Sequence, residues 1–246
     1  MKFFVCSDIH SFFTPWMKAL REAGYDRNNP EHILVVCGDL MDRGDETVEC
    51  LKFVNSIPED KKILIRGNHE ELLQDVIKRH QFGNHDFHNG TNKTFAHIYL
   101  DMHPNANLED KISVFDFVDE VATYDGLKEY YNSLKDYFET KKYVFVHGWI
   151  PALNRFTEDW RKGDWGSSMW ENGMELWDQG YKLKNKTICC GHWHSSWGHH
   201  WLHNNGPEFG DGAIFDPFID DGIIALDACT ALSNKVNVVV LEDDFI

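Results

Sequence analysis

Five short segments of this 246-residue chain bring together acids, histidines, an amide and an arginine: Asp8-x-His10, Gly38-Asp39-x-x-Asp42-Arg43-Gly44, Gly67-Asn68-His69-Glu70, His147-Gly148 and Gly191-His192-x-His194. Carboxylate, imidazole and amide oxygen form the donor set that suits borderline divalent ions such as Mn, Fe, Zn or Ni. Two such ions can hold both oxygens of an in-line displacement at phosphorus. A lone His-Gly or Gly-Asp is more often a turn or a satisfied core residue, so the order and combination of the five segments carry the reading.

The residue types suggest a division of labour. Asp8 and His10, two apart, can face one ion if the backbone turns there. Asp39 follows a buried apolar run directly after Gly38, where a carboxylate is costly unless paired or metal-bound. Its two oxygens make it the candidate bridge between two ions. Asn68 offers an amide oxygen without added charge, which leaves adjacent His69 to donate a proton and Asp42 to orient that imidazole. Arg43 supplies a planar fork that matches phosphate oxygens better than a lysine does. His147 and His192 complete a second metal site.

These residues need a common rim to converge. Strand-like apolar runs at residues 2–6, 33–37, 62–65, 143–146 and 187–190 each end at one of the motifs. Ligands in layered α/β folds gather at such strand ends. Helical patterns lie at residues 14–23, 46–55, 70–79 and 127–138. Further on, residues 223–226 and 236–241 read as strands joined through a Ser233-Asn234 turn without a helix between them. The mixture gives an α/β fold with sheets packed on each other and helices outside. Residues 154–180 and 195–221, rich in Trp, Gly and His, read as long functional loops. The ligands span positions 8 to 194, so the expectation is a single domain over residues 1–246.

Composition narrows the function classes. With 24 Lys and Arg against 40 Asp and Glu, the formal charge is −16, which disfavours nucleic acid as a partner. No stretch approaches the roughly 18 apolar residues of a membrane span. The apolar opening, Met1 to Cys6, stops at Ser7-Asp8 and reads as a core strand rather than a signal peptide. Six cysteines without a CxxC pair suit reduced, packed thiols and a cytoplasmic setting. His199, His200 and His203 read as a hydrated loop face, and Glu70 and Glu71 as acids favoured by a helix N-terminus.

The set of motifs resembles the calcineurin-like metallophosphoesterases, specifically the phosphoprotein phosphatase branch with its bacterial and phage relatives. The Arg43-Gly44 extension of the GDxxD segment is the discriminating detail, and the likeness extends over Phe87-His88-Asn89-Gly90-Thr91 and the segment from Asp227 to Leu241. The resemblance implies a β-sandwich flanked by helices, with the active site at strand C-terminal ends and a metal-bridging hydroxide attacking phosphorus. It implies that Asp8, His10 and Asp39 hold one ion and that Asp39, Asn68, His147 and His192 hold the other, manganese being favoured over iron or zinc. It gives His69, with Asp42, the protonation of the leaving oxygen, and it gives Arg43 and Asn68 contacts to substrate. His194 is a further candidate ligand, since many wider relatives use the second histidine of GHxH on the first ion.

One departure concerns substrate binding. The family's second phosphate-binding arginine, from a W-x-R element, is matched here by Trp170-Glu171-Asn172, and the arginines beyond His147 are Arg155 and Arg161. Arg161 is the expected replacement, with Asn172 as the neutral alternative. The implied substrate is a phosphorylated protein or small phosphomonoester. Symmetrical dinucleoside polyphosphate hydrolysis is the alternative, because diadenosine tetraphosphatases share these motifs. A catalytically idle scaffold that binds phosphorylated partners is a third reading, and intact His69 and Arg43 argue against it. Oligomeric state stays open.

Overall fold

Runs of β-branched and aromatic residues form strands where the sequence places them, and a computed structural model describes residues 1–107, 113–151 and 159–245. The strands are β1 (Lys2–Cys6), β2 (His32–Cys37), β3 (Lys62–Ile65), β4 (Leu134–Lys135), β5 (Phe138–Glu139), β6 (Tyr143–Phe145), β7 (Thr187–Cys190), β8 (Phe218–Asp220), β9 (Ile223–Ala225) and β10 (Val239–Glu242). They make two five-stranded sheets, ordered β10-β1-β2-β3-β4 and β5-β6-β7-β9-β8. In the first, β1 through β4 run parallel and β10 pairs antiparallel to β1. In the second, β6, β7 and β9 are parallel and the edge strands are antiparallel.

The helices are α1 (Phe13–Glu22), α2 (Thr47–Asn55), α3 (Asn68–Arg79), α4 (Asn84–Asn89), α5 (Thr91–Met102), α6 (Val114–Ala122), α7 (Asp125–Ser133), α8 (Trp165–Ser168), α9 (Gly173–Asp178), α10 (Ser195–Trp201) and α11 (Thr230–Ser233). Side-chain alternation along the strands sorts the core into three layers. Phe3, Val5, Ile33 and Val35 face Phe145, Cys189 and Ile224 between the sheets. Phe4, Leu34, Val36 and Leu64 face Trp16, Leu51, Leu73, Phe95 and Leu127 on the helices. Val144, Ile188 and Ile223 pack outward against Trp149, Met174 and Trp177. The result is a β-sandwich flanked by helices, as the motifs imply. Strands buried on both faces read as continuous apolar runs rather than alternating ones, which is why periodicity alone did not separate the layers.

Parallel pairing within each sheet sends the C-terminal ends of β1, β2 and β3, and of β6 and β7, to one side. The two sheets meet there at Gly38, where an added Cβ would lie 2.4 Å from His147 Nδ1.

Three expectations change. The helix over residues 127–138 ends at Ser133, where Leu134 turns extended and pairs with Leu64. Phe138 then pairs with Phe145 in the second sheet. Apolar spacing persists past the helix end because Tyr137 stacks on Trp165, 4.9 Å between ring centres. The two expected loops contain the short helices α8, α9 and α10, and a single helical turn, α11, lies between β9 and β10. Residues 152–158, with Arg155 among them, lie outside the described residues. No helix among the described residues is long and apolar enough to cross a membrane.

Candidate active site

The chain leaves β1 through left-handed backbone at Asp8, His10 and Ser11, with φ of 53°, 51° and 60°. Asp39, Asp42, Arg43 and His192 share that conformation, with φ of 54°, 72°, 62° and 67°. Each such non-glycine residue costs on the order of 1–3 kcal/mol and persists only where its surroundings over-determine it. Here the loop after β1 continues to pair with the loop after β2: Asp8 N donates to Gly38 O, His10 N to Asp39 O and Ser11 N to Leu40 O, at 3.2, 3.0 and 2.9 Å. The turn needed for Asp8 and His10 to face one point is therefore present.

His10 Nδ1 donates to Met41 O at 3.0 Å, so Nε2 carries the lone pair. That lone pair faces Asp8 Oδ1 at 3.9 Å and Asp39 Oδ2 at 3.7 Å. Burial, and then the nearby Arg43 charge, hold His10 well below the usual imidazole range, so it stays neutral. His147 repeats the pattern: Nδ1 donates to Cys37 O at 2.8 Å, and Nε2 lies 2.9 Å from Asn68 Oδ1 and 3.3 Å from Asp39 Oδ1. Burial opposes a proton on His147, but the Asp39 charge outweighs it and pushes its pKa up to about 10. A divalent ion held between these acceptors would displace that proton.

His192 is held at both ends. Its backbone N–H donates to Asp8 Oδ2 at 3.0 Å and its Nε2 to Trp170 O at 3.1 Å. Burial and the His147 charge lower its pKa to about 4, so Nδ1 is free as a donor to metal. The ligand atoms of Asp39, His147 and His192 all lie within 4.8 Å of one another, as do those of His10, Asp39 and His69. Asp39 belongs to both groups. Nearby Asp8 and Asp227 are also buried, and burial pushes both carboxyls up, Asp227 to about 6. A concentration of buried acids around the neutral imidazoles of His10 and His192 fits divalent cations, which relieve repulsion and desolvation together.

His69 is the second residue of α3. Its Nδ1 donates to Asp42 Oδ2 at 2.7 Å. Burial lowers its pKa, but the Asp39 charge and the Asp42 hydrogen bond outweigh that and hold it above the usual range. Asp42 is itself locked by Thr91 and Thr94, whose hydroxyls donate to its Oδ2 and Oδ1 at 2.8 and 2.7 Å. Gly90 lets this segment approach, since a Cβ there would sit 2.5 Å from Arg43 N. Arg43 is exposed, with Nη2 3.3 Å from His69 Nε2. Among the described residues no carboxylate pairs with it.

Glu70 has a role the sequence did not show. It is fully buried, with Oε2 accepting from Asp39 N and Gly67 N at 3.1 and 2.8 Å, and Oε1 accepting from Leu40 N and Tyr130 OH at 3.0 and 2.9 Å. It clamps the loop that carries Asp39 to the start of α3. Glu70→Gln would turn an amide N–H toward these donors and is expected to cost about 3 kcal/mol. A thermal melt of the metal-stripped protein should then show Tm lowered by roughly 6–12 °C; a shift under about one degree would remove this role.

Three expected site residues are placed elsewhere or differently. Arg161, the expected second phosphate-binding arginine, spends its fork on carboxylates: Nε and Nη2 donate to Glu139 at 2.8 and 2.7 Å and Nη1 to Asp159 at 3.0 Å. Glu139 lies on the edge strand β5 and also pairs with Lys186 at 2.8 Å. Arg161→Ala should leave kcat/KM within about twofold and lower stability by about 1 kcal/mol, the scale of a partly exposed ion pair. Burial tends to raise Glu139, but Lys186 and Arg161 hold it below its usual range. The stability difference is therefore fully present above the ordinary Glu pKa and fades as pH falls through the depressed one, which melts of both proteins across pH would show.

His194 is turned away from the ligands by the start of α10. Its Nδ1 bonds Ser196 Oγ at 2.9 Å and its Nε2 lies 3.4 Å from Glu208, so it joins neither convergent group. Asn172 caps α9, with Oδ1 accepting from Met174 N and Glu175 N at 3.1 and 3.3 Å. Its Nδ2 is buried without a partner. The following Gly173 packs against Gly148 O, where a Cβ would be 2.8 Å away, so this donor lies beside the His147 segment. His199, His200 and His203 are satisfied by Asp216 O, Gly206 O and Asp220.

Comparison with known proteins bears on the family and the fold. The serine/threonine-protein phosphatase 1 of Salmonella typhimurium is 39% identical over 72 residues, which cover 29% of this chain and 31% of that one. The symmetrical bis(5'-nucleosyl)-tetraphosphatase of Colwellia psychrerythraea is 36% identical over 76 residues, 31% of this chain and 26% of that one. The matched stretch thus spans less than a third of each relative's own length. A mutant cold-active protein tyrosine phosphatase superposes with TM-score 0.56 at 16% identity, covering 98% of this chain and 75% of that one. A Saccharomyces cerevisiae serine/threonine phosphatase gives 0.51 at 15% identity, covering 100% and 81%. At those identities the solved structures share the fold. The calcineurin-like phosphoesterase profile matches residues 1–220, and the chain belongs to that family.

Proposed function

We propose that the protein is a two-metal-dependent phosphoester hydrolase. The observation that carries this reading is the pair of carbonyl-locked imidazoles, His10 and His147, whose Nε2 atoms face opposite oxygens of Asp39. Asp8, His10 and Asp39 would hold one ion, and Asp39, Asn68, His147 and His192 the other, with manganese favoured over iron or zinc. Bound there, the ions would supply acidified water as nucleophile and Lewis acidity for the phosphoryl oxygens.

The chain's own residues do the rest. Arg43, which no carboxylate pairs with among the described residues, presents a fork that can grip two phosphoryl oxygens and stabilise charge that grows in the transition state. Asp42 accepts a hydrogen bond from His69 Nδ1–H, which orients the ring so that Nε2 delivers a proton to the leaving oxygen. Thr91 and Thr94 keep Asp42 in place for that task. With Arg161 engaged elsewhere, the unpaired Asn172 Nδ2 is the remaining described candidate for a second phosphoryl donor, a weaker one than arginine.

The substrate is a phosphorylated serine or threonine in a protein, or a small phosphomonoester. A dinucleoside polyphosphate is the second reading, favoured by the Trp170 ring 6.0 Å from His192, where a base could stack. Phosphate release from phosphopeptides and p-nitrophenyl phosphate, compared with cleavage of diadenosine tetraphosphate by the manganese-loaded protein, separates the two. Phosphomonoesters should react with the higher kcat/KM. Binding of phosphopeptide with no release from any ester would sink the enzymatic reading and favour the scaffold.

A further inference from the structure

The residues of the proposed centre follow β1, β2, β3, β6 and β7, and one more strand delivers an acid to the same rim. Strand β9 runs parallel to β7 with Ala225 opposite Cys190. Two residues past that pair stand His192 on one segment and Asp227 on the other. The segments stay together there, since Leu226 N donates to Cys190 O at 2.9 Å and Ser195 N to Asp227 O at 2.7 Å. The same loop also holds the Asp8 segment, through Thr230 Oγ1, which donates to Asp8 O at 2.8 Å. Asp227 is only 5% exposed. Its Oδ1 accepts from Cys229 N at 2.7 Å, whereas its Oδ2 has no hydrogen-bond or ion-pair partner among the described residues. The Asp227 charge is felt at Asp8, and the Arg43 and Asp39 charges are felt at Asp227, so this carboxylate lies within electrostatic reach of the rim.

We propose that Asp227 is a positioning carboxylate for the ion at Asp8, His10 and Asp39, which strengthens that ion's binding from outside its ligand set through the unpartnered Oδ2. The inference deepens the two-metal reading and rests on it. Asp227 joins neither convergent group of ligand atoms, so it acts through charge and through solvent on the ion rather than as a ligand. The ion at Asp8 is the one that needs this help. It has three proposed protein donors against four at the other site, and His194 is turned away from it. Charge balance points the same way. Two divalent ions and Arg43 would bring five positive charges to the rim, and among the proposed ligands only Asp8 and Asp39 are anionic. A purely structural acid would have both oxygens engaged, as Glu70 has. Asp227 instead leaves one oxygen unused in a buried place, which is costly until a cation arrives.

The test titrates the chelator-stripped full chain with manganese alone and reads the free ion by its paramagnetic resonance signal. Asp227→Asn keeps Oδ1 as the acceptor for Cys229 N and removes the charge. The variant should still bind two ions, with one dissociation constant raised about 10–100-fold, the usual effect of losing a partner just outside a ligand set, and the other nearly unchanged. In a His10→Ala background, where the same ion is already weakened, the remaining ion should be held equally with Asp or Asn at position 227. Thermal melts add a readout that a structural role would move differently. The stripped variant should melt at or above the stripped wild type, because a buried charge beside Asp8 is gone, whereas with manganese it should melt below the loaded wild type. Two dissociation constants equal to those of the wild type, a weakening of the ion that remains without His10, or a stripped variant that melts below the stripped wild type would overturn the proposal. Failure of the parent reading is a different result: a wild type that binds fewer than two ions.

Discussion

Asp39→Asn is expected to reduce phosphate release by roughly three orders of magnitude or more, the scale seen when a group that organises transition-state charge is removed. The reason lies in the sharing of this carboxylate. One oxygen faces His10 Nε2 at 3.7 Å and the other faces His147 Nε2 at 3.3 Å. An amide keeps the shape but loses the negative charge and one of the two acceptor oxygens, so both ions lose affinity together. The fold should survive, because the remaining amide oxygen can still accept from His69 N, which donates to Asp39 Oδ1 at 3.0 Å in the wild type. Elemental analysis of the variant should find fewer than two ions per chain. Two tightly held ions with near-normal turnover would contradict a bridging role.

The second large effect is a dependence on leaving group. His69→Asn should leave metal content intact while slowing hydrolysis of alkyl phosphates such as phosphoserine by about 10²–10⁴-fold, the range of general acid catalysis. On p-nitrophenyl phosphate, whose leaving group scarcely needs a proton, the loss should be far smaller. The pH profile carries the same signature. His69 is held above its usual range by Asp39 and Asp42 against the opposing effect of burial, and its protonated form is the one required. Wild-type kcat/KM on alkyl phosphates should therefore fall as pH rises through that raised pKa, and the variant should lack this limb. Equal losses on both substrates would remove the general-acid role.

Much of this site is legible in the sequence for a local reason. Asp8, Asp39, Asn68, His147 and His192 each follow a short apolar run, and parallel pairing within each sheet, with the two sheets packed on each other, brings them to one rim. What escaped depends on contacts between distant segments. Glu70 looks like an ordinary first-turn acid, and only the fold shows that Asp39 N, Leu40 N and Tyr130 OH all end on it. Thr91 and Thr94 lie about fifty residues from the Asp42 they hold, with no spacing rule to link them. Asp227, placed only within a resembling segment, proves to be a buried acid close enough to Asp8 to raise its pKa.

The misplaced residues have physical causes too. Arg161 and His194 have the right chemical type near the right motif, but type does not say which way a side chain turns. Glu139 and Asp159 offer Arg161 a complete set of acceptors, and the start of α10 rotates His194 toward Ser196 and Glu208. The helical spacing of residues 127–138 continued into β4 and β5 because tertiary pairing overrides propensity at a sheet edge.

Metal stoichiometry coupled to turnover tests the two-metal centre most directly. Protein stripped by a chelator and titrated with manganese should show no phosphate release when bare. It should bind two ions per chain by elemental analysis, and activity should appear only as the second site fills. Full activity in the stripped protein, or saturation of activity at one ion per chain, would contradict a centre built around Asp39.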